Sequence, residues 1–165
     1  MLKGRMAAVG WAALAVLACG PSLAQTAAPQ AAPAPQPEYH PSLGDLMTMA
    51  VQPRHTKLGL AAKQRNWAYA TYETSELRNA FNRIARTIPT YRNNELSALF
   101  ASVAKAPLDH IDAAIKARDG AALDGAYVEM TQACNACHQS LDHAYVVIQA
   151  PAGAPYPDQV FAPQP

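Results

Sequence analysis

Apolar residues recur at steps of three and four through most of this chain, and that period admits helices and little else. In "NWAYATYETSELRNAFNRIARTI" the stripe is Trp67, Ala70, Thr74, Leu77, Phe81, Ile84 and Ile88, and Pro89 closes it. A second stripe passes through Leu96, Leu99, Val103, Leu108, Ile111 and Ile115, over about residues 94–118. Pro107 is expected to kink or split that helix. A third stripe takes in Leu123, Tyr127, Met130, Cys134, Cys137, Leu141, Ala144 and Ile148, with Gly120 ahead of it and Pro151 as its stop. The first helix is expected over about 42–64, where Leu43, Met47, Ala50, Leu58 and Ala61 share a face and Pro53 disturbs the middle. No segment alternates with period two. Both Asp-Gly pairs of "RDGAALDGA" sit among Ala and Leu, so no hairpin is expected. The pattern predicts an all-α fold, an antiparallel up-down-up-down four-helix bundle with disordered or extended termini.

The ends read differently. "MLKGRMAAVGWAALAVLACGPSLAQ" has Lys3 and Arg5, an apolar run from Met6 to Cys19, then Ser22-Leu23-Ala24. That is an export signal, cleaved after Ala24, which places the mature chain in the periplasm. The run is too short for a stable membrane span. "AVLAC" resembles a bacterial lipoprotein box, so the alternative is a lipid anchor on Cys19. Residues 25–41 are a Pro/Ala-rich tether, 42–149 the helical domain and 150–165 a Pro-rich tail. The tail is either loose or a strap laid down by Tyr156, Val160 and Phe161. Without Lys3 and Arg5, eleven basic residues face twelve acidic ones. With no basic block, nucleic acid is excluded as a partner. Nothing after residue 25 is long and apolar enough to span a membrane.

Two of only three cysteines stand in "QACNACHQSL". Cys134 and Cys137 are one helical turn apart on the inward stripe, and His138 follows at its edge. Thiols so spaced can reach the two vinyl groups on one edge of a porphyrin, and the adjacent imidazole can bind its iron. Cys-x-x-Cys-His is the attachment signature of c-type haem, so one covalent haem c is expected. A redox dithiol would sit at a helix start after a strand. A disulfide would strain a continuous helix. Zinc would have to enlist Cys134, Cys137, His138 and His143 from one short stretch.

An exported helical bundle with "CNACH" near the end of its last helix resembles the cytochrome c′ family, including its low-spin c-556 relatives. The resemblance spans about residues 42–149. It rests on "CNACH", on "AAIKARDGAALDGAYVEMTQACNACH" leading into it, and on "DLMTM" in the first helix. It implies haem along the bundle, with the first helix on the distal side. The family carries an aromatic and then a basic residue where this chain has Leu141 and Asp142. An acid there is expected to stabilise ferric haem or polarise His138.

The sixth iron position separates electron transfer from ligand binding. Candidates are Met47, then His55, then Met49, with Met49 pointing away from the apolar face. Arg54, Lys57 and Arg65 could neutralise haem propionates. His40 lies in the tether, His110 is expected to be exposed, His143 to be at the surface or beside the proximal ligand, Trp67 to pack in the core, and Tyr127 and Met130 to pack the haem rim. The expected function is one-electron transfer by a periplasmic monohaem cytochrome with an unidentified redox partner, not catalysis, and homodimers through the first two helices are an option. The alternatives are a five-coordinate haem binding NO or CO, and a haem-free zinc-binding helical protein.

Overall fold

Ser42 starts the first helix with a reciprocal cap. Its Oγ accepts from the Asp45 amide at 3.1 Å, and the Asp45 carboxylate accepts from the Ser42 amide at 2.9 Å. The computed structural model describes residues 38–165. The expected export signal, the alternative Cys19 anchor and most of the expected tether lie outside the described residues. The first arm is helical from Leu43 to Lys63 in three pieces: α1 (Leu43–Leu46), a π-helical turn (Met47–Val51) and α2 (Gln52–Lys63). The cause of the wide turn is Pro53. It donates no hydrogen bond, and its ring crowds the carbonyl four residues back, so the preceding turn opens.

Three long helices follow: α3 (Trp67–Thr87), α4 (Leu96–Ala117) and α5 (Gly120–Ser140). Each has a side-chain cap at its start. Asn66 accepts from the Tyr69 amide, Glu95 from the Ser97 and Ala98 amides, and Asp119 from the Ala122 amide. Helix α4 is one uninterrupted element with Pro107 buried inside it, so the expected split does not occur. Between α3 and α4 a hairpin that the sequence reading excluded pairs β1 (Thr90–Tyr91) with β2 (Asn94–Glu95). Its turn residues Arg92 and Asn93 are both left-handed, at φ 47° and 65°, the backbone of a two-residue hairpin turn.

Helix α5 also departs from expectation, ending about ten residues short of Pro151. Asp142 turns left-handed at φ 59°. The His143 amide donates back to the His138 carbonyl at 2.7 Å, and the Asp142 amide to the Gln139 carbonyl at 3.3 Å. This is a Schellman stop with aspartate where glycine is usual. Leu141 still packs inward, but Ala144 is exposed and the chain from 142 onward is irregular.

Consecutive helices pack on one another: α2 on α3, α3 on α4, and most extensively α4 on α5, while α2 meets α5 more lightly. The main core cluster is built from helical residues. Leu58, Leu77, Ile84, Leu96, Leu108, Ile111, Leu123 and Met130 have essentially no exposure, and each contributes roughly 1.5–3 kcal/mol by leaving water. Residues Tyr39–Pro165 form one unit. No described helix is long and apolar enough to cross a membrane.

The tail is a strap. Phe161 is buried against Tyr69, and Tyr156 lies under Lys57, whose ammonium stands 4.7 Å from the ring centre. Asn66 caps α3 with its oxygen and donates from its nitrogen to the Phe161 and Ala162 carbonyls at 3.0 and 3.2 Å. Gln159 donates to the Tyr69 hydroxyl at 2.5 Å. Val160, expected as a third anchor, is 70% exposed.

Candidate functional site

Cys134, Cys137 and His138 occupy the last two turns of α5. Both cysteines are free thiols, Cys137 buried and Cys134 half-buried. Burial and the neighbouring Cys137 push the Cys134 thiol up to about 12, and burial raises Cys137 as well. The pair is therefore protonated and chemically quiet in the folded chain.

His138 is fixed by the chain that returns beyond α5. Its Nδ1 stands 2.7 Å from the Val146 carbonyl. A carbonyl only accepts, so Nδ1 carries the proton, and in the neutral ring Nε2 holds the lone pair. Nε2 makes no hydrogen bond among the described residues. Between the two cysteines, Asn135 grips Ile148 twice. The Ile148 amide donates to Oδ1 at 2.7 Å, and Nδ2 donates to the Ile148 carbonyl at 2.9 Å.

The end of α5 is tied to the α3–α4 hairpin. Tyr91 and Tyr145 hydroxyls each stand 3.0 Å from one ring nitrogen of His143. Arg92 meets Asp142 at 2.8 Å. The acid expected to act on His138 is thus paired with a cation supplied by the hairpin, and the group that polarises His138 is a backbone carbonyl. With both its nitrogens engaged, His143 is unavailable as a zinc ligand. Among the described residues no three His, Cys, Asp or Glu side chains converge to hold a metal ion, so the four residues of the zinc reading do not gather.

The distal candidates separate cleanly. His55 is buried and stacked on Tyr127, with ring centres 4.8 Å apart. Thr131 donates its hydroxyl proton to the Tyr127 carbonyl at 2.9 Å, so its oxygen accepts from His55 Nε2–H at 2.9 Å. The Tyr127 hydroxyl covers Nδ1 at 3.2 Å and the His55 carbonyl at 3.0 Å. Burial depresses His55 to about 4, so the ring is neutral, and both its nitrogens are committed. Met49 is 61% exposed. Met47 is half-buried against the core, in the π turn.

The cations assigned to propionates are engaged elsewhere. Arg54 pairs with the fully buried Glu73 at 3.3 Å and with Glu76 at 3.6 Å. Arg65 holds Asp124 through two bonds of 2.7 Å, and Lys57 covers Tyr156. The sequence reading missed Glu73, a carboxylate one position from the apolar stripe whose signal was Arg54 in the facing helix. Trp67 packs half-buried against the core, as expected, and Tyr127 and Met130 are buried in that core. His110 is exposed on Glu129 at 2.8 Å, and His40 is exposed.

The donor set suits a covalently held haem: two unpaired thiols one turn apart, then an imidazole whose outward nitrogen is already used and whose Nε2 is free. Among the residues packed against the core, Leu46, Met47, Ala50, Tyr91 and Cys134 remain only partly buried. A hollow of about 420 Å³ lies between Thr56 and the strap residues 149–155, immediately beyond the clamped Ile148. No protein-family model matches this chain, and neither a curated protein nor a solved structure matches it.

Proposed function

We propose that this chain is an exported monohaem c-type cytochrome that carries single electrons, on an antiparallel up-down-up-down four-helix bundle. The observation that carries the reading is His138: it directly follows the second of two free thiols, and its Nδ1 proton is spent on the Val146 carbonyl. Bound through thioethers to Cys134 and Cys137, haem would supply a one-electron iron couple. The protein's part is to anchor it, to present His138 Nε2 to it and to shield it with apolar side chains.

Contacts between α2 and α5 support the bundle. Arg65, just past the end of α2, meets Asp124 near the start of α5, while His55, early in α2, faces Tyr127 and Thr131 further along. The two helices therefore run in opposite directions. Met47 lies eight residues before His55, and Cys137 lies eight beyond the midpoint of Tyr127 and Thr131. The same register, extended through the π turn, would bring Met47 level with the motif, and its thioether is our assignment for the sixth ligand.

The test uses full-length protein produced with the haem-attachment machinery. Haem stain should survive denaturing electrophoresis, and the mass should exceed that of the trimmed polypeptide by one haem. Replacing either cysteine by serine should reduce the stain. A native mass equal to the bare polypeptide would refute the reading. Met47→Ala should convert a low-spin spectrum to high-spin and admit CO. A wild-type protein already high-spin in the ferric state would favour the five-coordinate NO- or CO-binding alternative.

A further inference from the structure

Asn135 and His138 are one turn apart on α5, and both hold the same short stretch of returning chain. His138 donates to the Val146 carbonyl at 2.7 Å, and Asn135 accepts from and donates to Ile148 at 2.7 and 2.9 Å. A side-chain amide that meets both polar groups of one residue fixes its position and its direction. The residue so fixed is two positions from the carbonyl that sets the His138 tautomer. On the other side, the Val146 amide donates to the His143 carbonyl at 2.8 Å, just after the Schellman turn. The carbonyl is thus held from both ends, yet it stands in an exposed segment: Val146 is 42% and Val147 73% exposed. Little apolar packing keeps it there. The Asn135 clamp is the polar constraint on its far side.

We propose that Asn135 is a positioning residue for His138: by clamping Ile148 it keeps the Val146 carbonyl on Nδ1 and so leaves the Nε2 lone pair free to bind iron. The purpose rests on the haem reading, but the hydrogen bonds belong to the chain itself and can be read without haem. A histidine ring in water favours the Nε2–H form, so releasing the carbonyl moves the proton to the nitrogen that must stay bare. Asn135 occupies a place between the cysteines that the attachment chemistry leaves unspecified, and the fold uses it to set the donor atom three residues later.

The experiment is long-range proton–nitrogen correlation on haem-free, full-length protein with labelled histidine, at pH 8. Wild type should show His138 as the Nδ1–H tautomer. Asn135→Ala should shift it toward Nε2–H and speed exchange of the Ile148 amide at least tenfold, with His55 and His110 unchanged as internal references. Asn135→Asp keeps the acceptor for the Ile148 amide and should retain most of the Nδ1–H form. If Asn135→Ala does not fold, Asn135→Ser, which cannot span to Ile148, is read in the same way. A folded alanine or serine variant with an unchanged His138 tautomer would overturn the proposal and leave Asn135 as a pin for the strap alone. In haem-loaded protein, Asn135→Ala should raise the midpoint potential, because an imidazole without that carbonyl is a weaker donor. A preparation that takes up no haem would overturn the proposed function while leaving the tautomer result standing.

Discussion

Gly59 and Gly125 offer one chemical change with opposite expected signs. Both lie inside helices, where Gly→Ala ordinarily stabilises by about 1 kcal/mol. At Gly125 an added Cβ meets nothing within 4 Å, so Gly125→Ala should gain about 0.5–1 kcal/mol. At Gly59 the same atom would stand 2.5 Å from the Tyr127 hydroxyl, 2.6 Å from its ring carbon and 3.0 Å from Pro151. Tyr127 is stacked on His55 and bonded to it, so it cannot swing aside freely. Overpacking of this kind costs about 1–3 kcal/mol, and losing the buried hydrogen bond that the single Tyr127 hydroxyl proton makes adds about 1 kcal/mol. Less the helix gain of about 1 kcal/mol, Gly59→Ala should lose about 1–3 kcal/mol. In a unit of this size that is a fall of roughly 5–10 °C in Tm. Urea titrations followed by far-ultraviolet circular dichroism measure both, with unchanged slope as the check that only stability has moved. A Gly59→Ala protein as stable as wild type would refute the close approach of Tyr127 to α2.

Two further predictions concern titration and reactivity. His55 falls from its ordinary value to about 4 in the folded chain, so the unfolded state binds the extra proton. Its stabilising effect is complete above about pH 6.5 and is lost as pH drops toward 4, on the order of 3 kcal/mol in all. Urea midpoints at pH 7.5, 6 and 5 should fall accordingly, and His55→Gln should flatten that fall; an equal slope in the variant would reject the assignment. Because burial holds Cys134 near 12 and raises Cys137, iodoacetamide at pH 8 should alkylate Cys134 in haem-free folded protein at least about a hundredfold more slowly than in denatured protein, and Cys137 more slowly too. Equal rates would show that the thiols are open.

Much of the fold was legible because helical burial follows period 3.6. Ala70, Thr74, Leu77, Phe81 and Ile84 were read from spacing alone, and all are buried. The ends were harder. Nothing in "SLDHAYVV" announces a stop, because Asp142 adopts a left-handed backbone without being glycine, and the apolar spacing continues past the true end of α5. Pro53 signalled a disturbance but not its form, a single wide turn. The Thr90–Glu95 hairpin has Arg-Asn at its corner instead of a glycine pair. At the site, the Cys-Cys-His spacing was visible, as was the exposure of Met49. The commitments of His55 to Tyr127 and Thr131, and of Arg54 to Glu73, depend on facing helices and have no local trace. The two bonds of Asn135 are equally non-local, since their partner lies in irregular chain.

The chain that fixes His138 and is clamped between the two cysteines follows them in sequence: the Schellman turn, the Val146 carbonyl and the Ile148 held by Asn135. During synthesis the motif therefore emerges before these partners exist. Until residues 146–148 arrive, neither the His138 ring nor the Asn135 amide has the contacts that orient it. The order of residues along the polymer thus makes the imidazole the last part of the motif to be set.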